Sequence, residues 1–364
     1  MSVKKSKIGT LFLISHLIFI FGCGGSGDIP QISSEPVKFS IIRTNDGVGF
    51  INEAGQVVIK QQFRDAQLFY DGLAAVKVGE SWGFINHKGE FVISPRYTRV
   101  HPFSEKLALV YSGEESPIFI NQRGNVVIQP KENWRFIGGF KEGLTPVEVK
   151  GKWGFINTKG EIAIEPKFDD VRGFSDGLAF VKVGTYSDKE ALVGYIERSG
   201  KLKIPFEALY ESGTDFVMNR AIVTKHNYML IDKTGKVLKN QLSLGCNDDE
   251  QSFVKGFVEG LLPVGLKLPN QKLFGCGYID MHGKVAIPPN PKIETAELFS
   301  EGLASVKIKD KWGYINRSGS LTIEPKFQKA SRFRNGLAYV KVNAASEGYI
   351  NHSGQFVWQP VTFK

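Results

Sequence analysis

One short phrase recurs nine times along this chain: an aromatic or apolar residue, Ile, a polar residue, two variable residues and Gly. It reads FINEAG at Phe50, FINHKG at Phe84, FINQRG at Phe119, FINTKG at Phe155, YIERSG at Tyr195, LIDKTG at Leu230, YIDMHG at Tyr278, YINRSG at Tyr314 and YINHSG at Tyr349. The closing glycines are spaced 34, 35, 36, 40, 35, 48, 36 and 35 residues apart. A period near 35 with one long interval is the mark of a repeat architecture, in which each unit buries its apolar face only against its neighbours.

The phrase has a local physical meaning. The aromatic-Ile pair opens an extended segment, and the polar residue and the Gly bracket a turn. A three-residue hairpin loop ends in a left-handed residue, which Gly adopts at least cost. A second β-branched stretch follows the Gly, as in QVVI, EFVI, NVVI and EIAI. It often leads to Pro (Pro95, Pro130, Pro166, Pro288, Pro325), where the missing backbone donor is expected to end pairing. Next comes an apolar triad of period three: Phe63-Ala66-Phe69, Tyr97-Val100-Phe103, Trp134-Ile137-Phe140, Phe168-Val171-Phe174, Ile293-Ala296-Phe299 and Phe327-Ala330-Phe333. That period predicts a tight 3₁₀-like turn. An acidic or polar residue with Gly then introduces a third extended segment, as in DGLAAVKV at Asp71 and EGLTPVEV at Glu142. The reading is all-β: nine tandem three-stranded meanders over residues 39–364, with a long insertion at about 236–275.

A Trp-Gly pair precedes the hairpin phrase at Trp82, Trp153 and Trp312. Elsewhere the Trp slot holds Val48, Pro117, Val193, Tyr228, Cys276 or Glu347. Such scatter suits a repeat core position, which tolerates apolar exchange, better than a ligand-reading aromatic. The Gly is expected to let a neighbouring backbone approach closely. Together the Trp-Gly-Phe-Ile-Asn, hairpin Gly, Ile-x-Pro and Phe-x-Glu-Gly-Leu-Ala phrases resemble the WG (KWG) repeat of bacterial proteins, including spirochaetal envelope lipoproteins. The resemblance covers roughly residues 39–364, and is weakest between Gly194 and Gly277, where Asn219 replaces the Gly of the third strand. It brings no catalytic residues. Two architectures fit: a propeller-like ring, or an open β-superhelix in which the first unit never meets the last. The ring is the expectation adopted here.

The first residues read as an export address. Lys4, Lys5 and Lys7 precede an apolar run from Ile8 to Phe21, and Gly22-Cys23 follows. That is a signal peptide, too short to span a membrane. IFGC resembles the lipobox of bacterial lipoproteins, which implies acylation of Cys23. The expected organisation is a signal peptide at 1–22, a flexible linker at 23–38 and the repeat domain beyond. Removing three Lys leaves a net charge of +9 − 3 = +6, spread without a basic stripe, so no nucleic-acid partner is expected. Cys246 and Cys276 remain, an even count in an exported chain, and are a candidate disulfide.

No phosphate loop, His-Glu-x-x-His or Cys-x-x-Cys appears. His87, His282 and His352 fall in hairpin turns and read as exposed turn residues. The acidic cluster Asp248, Asp249 and Glu250 lacks the alternating ligands of a calcium loop. The sequence therefore predicts no enzyme, no metal and no cofactor. It predicts a non-enzymatic lipoprotein of the cell envelope, in the outer membrane, held by a lipid anchor and displaying a repeat scaffold for an unknown macromolecular ligand. A periplasmic structural or assembly factor, or a hydrolase or lyase on a propeller, are the alternatives.

Overall fold

The structure, a computed structural model, describes residues 37–113, 117–130, 134–184, 192–205, 212–225, 227–243, 246, 257–268, 274–343 and 346–360. These form nine small antiparallel sheets arranged as a nine-bladed β-propeller. Nine apolar clusters fill the nine junctions between blades. One, for example, joins Phe84, Ile93 and Tyr97 of blade 2 to Val100, Phe103 and Val110 of blade 3. The ninth joins Ile42 and Ile51 of blade 1 to Leu337, with Tyr349, Val357 and Trp358 of blade 9 packed on it. The first and last units thus meet, which excludes the open superhelix. The ring closes by face-to-face packing, and among the described residues no sheet contains strands from both ends of the chain.

Seven of the nine sheets have four strands, not the three expected. Blade 2 is representative: Asp65–Tyr70, Leu73–Val78, Ser81–Ile85 and Phe91–Tyr97. The added strand comes from the apolar triad. No 3₁₀ turn occurs there among the described residues. The segment is instead a short extended strand that pairs with the Gly-Leu-Ala strand, as in Arg99↔Tyr111 and Val100↔Val110, and rejoins it at Ser104↔Leu107 after a bulge. The bulge turns an alternating pattern into a period of three. In blade 4 the pattern misleads further. The pair Phe136↔Val147 places Phe136, not Ile137, in the middle apolar slot. Phe136 is 8% exposed and Ile137 is 48% exposed.

The hairpin phrase folds as read. Asn52 N–H donates to the Gln56 carbonyl, and Gly55 N–H donates to the Asn52 carbonyl. The Asn52 Oδ1 accepts from the Ala54 and Gln56 amides, which explains the polar residue at that position. Pro130 does follow the end of its strand, Val126–Ile128, but the other four prolines do not end theirs. Pro95 and Pro166 lie inside Phe91–Tyr97 and Ile162–Phe168. They stand at a bulge where one residue on one strand faces three on the other, as with Gly83 opposite Ser94, Pro95 and Arg96 between Trp82↔Tyr97 and Phe84↔Ile93.

That bulge accounts for the Gly after Trp. A Cβ on Gly83 would lie 2.5 Å from the Ile93 carbonyl oxygen and 2.7 Å from Pro95 N, and Gly49 and Gly313 meet the same obstacle. Trp82, Trp153 and Trp312 are half-buried; each packs on the flank of a junction cluster without filling it.

The insertion assigned to 236–275 contains two ordinary strands, Val237–Leu242 and Leu261–Lys267. Ser243↔Gly265 has the register of Asp65↔Lys77. The extra length therefore falls between Ser243 and Phe257, and in the turn between Lys267 and Phe274.

Candidate functional site

The acidic residue of each Asp/Glu-Gly turn stands at positive φ, as at Asp71 (49°) and Glu142 (53°). Its carboxylate reaches the next blade and accepts the amide of the equivalent turn there. Asp71 accepts from Lys106, Glu105 from Gly143, Glu142 from Gly177, Asp176 from Asn219, Glu259 from Gly302 and Glu301 from Gly336, at 2.6–3.1 Å. Six junctions share this latch. A carboxylate accepting a backbone N–H makes a charge-assisted bond, stronger than a neutral one. Where Tyr replaces Phe in the hairpin phrase, its hydroxyl adds a second latch. Tyr195 donates to the Thr214 carbonyl, Tyr278 to Glu297 and Tyr314 to Ser331. Burial raises the Tyr278 and Tyr314 hydroxyls far above the usual phenol range, so they remain donors. The repeated polar residues of the ring therefore hold blades together.

A groove of about 580 Å³ opens between blades 3 and 4, where the repeat departs from its own pattern. Pro117 stands in the Trp slot, so the large side chain found in blades 2, 4 and 8 is missing. Trp134 and the exposed Ile137 lie along one wall. On the other, the Arg99 guanidinium lies 3.6 Å from the centre of the Tyr111 ring. Stacking uses the flat face of the guanidinium and leaves its in-plane N–H donors for other partners. Arg135 Nη1 pairs with Glu148 Oε2 at 3.1 Å. His101 lines the floor; burial, and then Arg99, lower its pKa, so the imidazole is neutral at pH 7. Aromatic and aliphatic surface beside a stacked arginine suits a ligand with an apolar body and an acidic group.

The residues singled out in the sequence do not converge here. Cys246 and Cys276 are joined in a disulfide with Cα atoms 5.4 Å apart, at the junction of blades 7 and 8. His352 stacks on Phe333, with ring centres 4.4 Å apart, and its Nε2 lies 3.2 Å from Glu301 Oε2. His87 and His282 stand in other blades, and no His, Cys, Asp and Glu cluster suited to a metal occurs among the described residues. Cys23 and the Asp248–Glu250 cluster lie outside the described residues. Arg99, Tyr111 and Trp134 were not predicted as a site. The one sequence signal for them is the Pro in a slot that elsewhere favours Trp.

The model of the WG containing repeat matches residues 49–81, 82–114, 119–153, 153–184, 277–312 and 312–344, more than half of the chain. The chain belongs to the WG-repeat family. The unmatched stretch from 185 to 276 contains blade 6 and the lengthened loops of blade 7. No curated protein matches this WG-repeat chain by sequence. Among solved structures it is similar to one described as a eukaryotic initiation factor, with 13% identity and a TM-score of 0.56 over 86% of this chain and 93% of that one. BamB from Moraxella catarrhalis aligns with 10% identity and a TM-score of 0.37, over 89% and 95%. At these identities the first likeness is one of fold alone.

Proposed function

We propose that this WG-repeat chain is an exported lipoprotein, anchored through Cys23 in the outer membrane, whose ring is a non-enzymatic scaffold that binds another protein. The observation that carries the reading is the division of labour among its polar groups. The recurrent carboxylates and tyrosines are spent on blade-to-blade latches, whereas the groove at Arg99, Tyr111 and Trp134 arises where the repeat is broken. A protein partner fits that groove better than nucleic acid does, because aromatic and arginine anchors are the usual energetic centre of protein interfaces and no basic stripe accompanies them. The lipobox-like IFGC ending at Cys23 supports the same reading, since acyl chains on that Cys would place the ring at a membrane surface.

Two measurements test it. The tagged mature protein is used to capture partners from envelope extract, alongside a Trp134→Ala/Arg99→Ala variant with an unchanged melting curve. Specific protein partners lost in the variant are expected; identical capture by both would overturn the groove as the binding surface. Fatty-acid labelling of Cys23→Ala is expected to fail, and equal labelling would remove the anchor.

A further inference from the structure

Three consecutive blades depart from the repeat at one place. In the position just before the latch carboxylate, Ser104, Ser175 and Ser300 each donate through Oγ to a carbonyl of the next blade, that of Phe140, Phe216 or Phe333, at 2.6 Å. Blade 4 holds Lys141 in that position, since Lys141↔Leu144 has the register of Ser104↔Leu107. The lysine stem runs sideways instead: its Cδ lies 3.6 Å from where a Cβ on Gly173 would stand. One residue before the triad Phe, blades 3, 8 and 9 carry Pro102, Leu298 and Arg332, where blade 5 has Gly173. The glycine therefore gives the stem room to cross blade 5. Blade 6 places Asp215 in the same position.

Arg172 is the second cation. Its guanidinium carbon lies 5.1 Å from the centre of the Phe180 ring, and Phe180 belongs to the cluster between blades 5 and 6. Arg172 and Lys141 both act on the Asp215 carboxyl through space, and neither hydrogen-bonds to it. Arg172 Nη1 and Asp215 Oδ1 are buried, and neither has a hydrogen-bond partner. An orphaned donor and an orphaned acceptor at one junction each carry a desolvation cost that the fold leaves unmet. Burial raises the Asp215 pKa in spite of both cations, so the carboxyl lowers stability where it stands. A costly carboxyl beside two cations that do not pair with it has the character of a binding site.

We propose that Lys141, Arg172 and Asp215 bind a protonated phosphate group, either hydrogen phosphate or the head of a phosphomonoester. The phosphate oxygens accept from Lys141 Nζ and Arg172 Nη1 in charge-assisted bonds. The P–OH donates to Asp215 Oδ1, so both orphaned atoms gain a partner. Two cations against one carboxylate leave a positive charge, which an anion neutralises and a zwitterionic amino acid does not. Sulfate carries no proton near neutral pH, so it has nothing to donate to Asp215 and meets the carboxylate as a like charge.

The test is calorimetric titration of the full mature protein at a pH of about 6.5, where a phosphomonoester keeps part of its proton. Inorganic phosphate is expected to saturate one site, and sulfate to bind about tenfold more weakly or worse. Lys141→Ser restores the repeat's own residue, with the Phe174 carbonyl as its acceptor, so the fold is expected to survive; a melting curve checks this. It is expected to weaken phosphate binding about tenfold or more. Asp215→Asn brings an N–H donor to the carboxyl position and is expected to bind sulfate and phosphate alike. No binding up to millimolar phosphate, equal binding of sulfate by the parent, or unchanged phosphate binding by Lys141→Ser overturns the proposal. Vesicles of phosphatidic acid, matched against phosphatidylcholine, separate the two sources. Vesicle binding that Lys141→Ser abolishes assigns a lipid headgroup, and saturation by inorganic phosphate without vesicle binding assigns the free ion. None of these outcomes alters capture through the blade 3–4 groove, so the two readings fail separately.

Discussion

The repeat's defining glycine gives the sharpest test of the fold's logic. Gly83→Ala introduces one methyl group at an ordinary φ, so no backbone strain is involved. The new Cβ meets the Ile93 carbonyl oxygen at 2.5 Å and Pro95 N at 2.7 Å. Both are main-chain atoms, fixed between Trp82↔Tyr97 and Phe84↔Ile93. Relief requires that the bulge open by most of an ångström. Overpacking of this kind costs about 1–3 kcal/mol, and weakening one ladder hydrogen bond adds about 1 kcal/mol. About 3 kcal/mol is expected in all. The control is Gly79→Ala in the adjoining turn of the same blade. There φ is +55° and nothing lies within 4 Å of the added Cβ. Its cost is the left-handed conformation alone, about 1 kcal/mol. Denaturant unfolding of the two variants, followed by tryptophan fluorescence, gives the comparison. If Gly83→Ala is no more destabilised than Gly79→Ala, the bulge does not hold the Trp-Gly strand, and the account of the motif is refuted.

Three other outcomes are expected. Glu142→Ala removes the carboxylate that accepts Gly177 N–H, and should destabilise by about 1 kcal/mol; Glu142→Gly, which also relieves the positive φ, should cost less in the same melt. Burial raises the Asp215 pKa against the smaller pull of Arg172 and Lys141, so the folded state holds that proton more tightly than the unfolded chain. Stability from this group is lost as pH rises through the unfolded value near about 4 and up to the raised value; Asp215→Asn should therefore be the more stable protein at pH 7, and match the parent in acid. Cys276→Ser opens a cross-link spanning 30 residues and should lower stability by about 3 kcal/mol, read as the midpoint shift that reduction also produces in the parent.

What was legible in the sequence was what local chemistry decides. The hairpins could be read because Asn52 and its equivalents cap their own loops and the following Gly takes positive φ, both visible within six residues. The first strand of each blade could not. In most blades it pairs over only two residues, as at Arg135–Phe136 and Asp170–Val171, and a bulge disguises its alternation. Trp134-Ile137-Phe140 shows the risk: Gly138 and Gly139 lengthen the bulge, and the period of three then selects Ile137 where the fold uses Phe136. Pro95 misled for a related reason, since a missing donor is harmless where the ladder already skips. Closure was illegible because it depends on the angle between successive blades, which no single unit encodes. The blade 3–4 groove is a property of two blades and a missing side chain, and only Pro117 hinted at it.

The seam shows how a ring of repeats closes without a strand shared between its ends. Each ordinary junction combines three contacts: an apolar cluster, a carboxylate on the next turn's amide, and an aromatic against the next triad strand. At the junction of blades 9 and 1 the fully buried cluster shrinks to Ile42, Ile51 and Leu337. The carboxylate becomes Asn335, whose Nδ2 donates to the Phe39 carbonyl at 3.0 Å. The change follows from the missing turn: without an amide at positive φ to receive an acceptor, the latch must supply the donor itself. Tyr349 adapts in the same way, donating to Ile41 O. The closing blade is therefore matched by side-chain chemistry to the first blade. The same substitutions that close the ring cap the Phe39 and Ile41 carbonyls, so the edge acceptors at this junction are satisfied by side chains of blade 9.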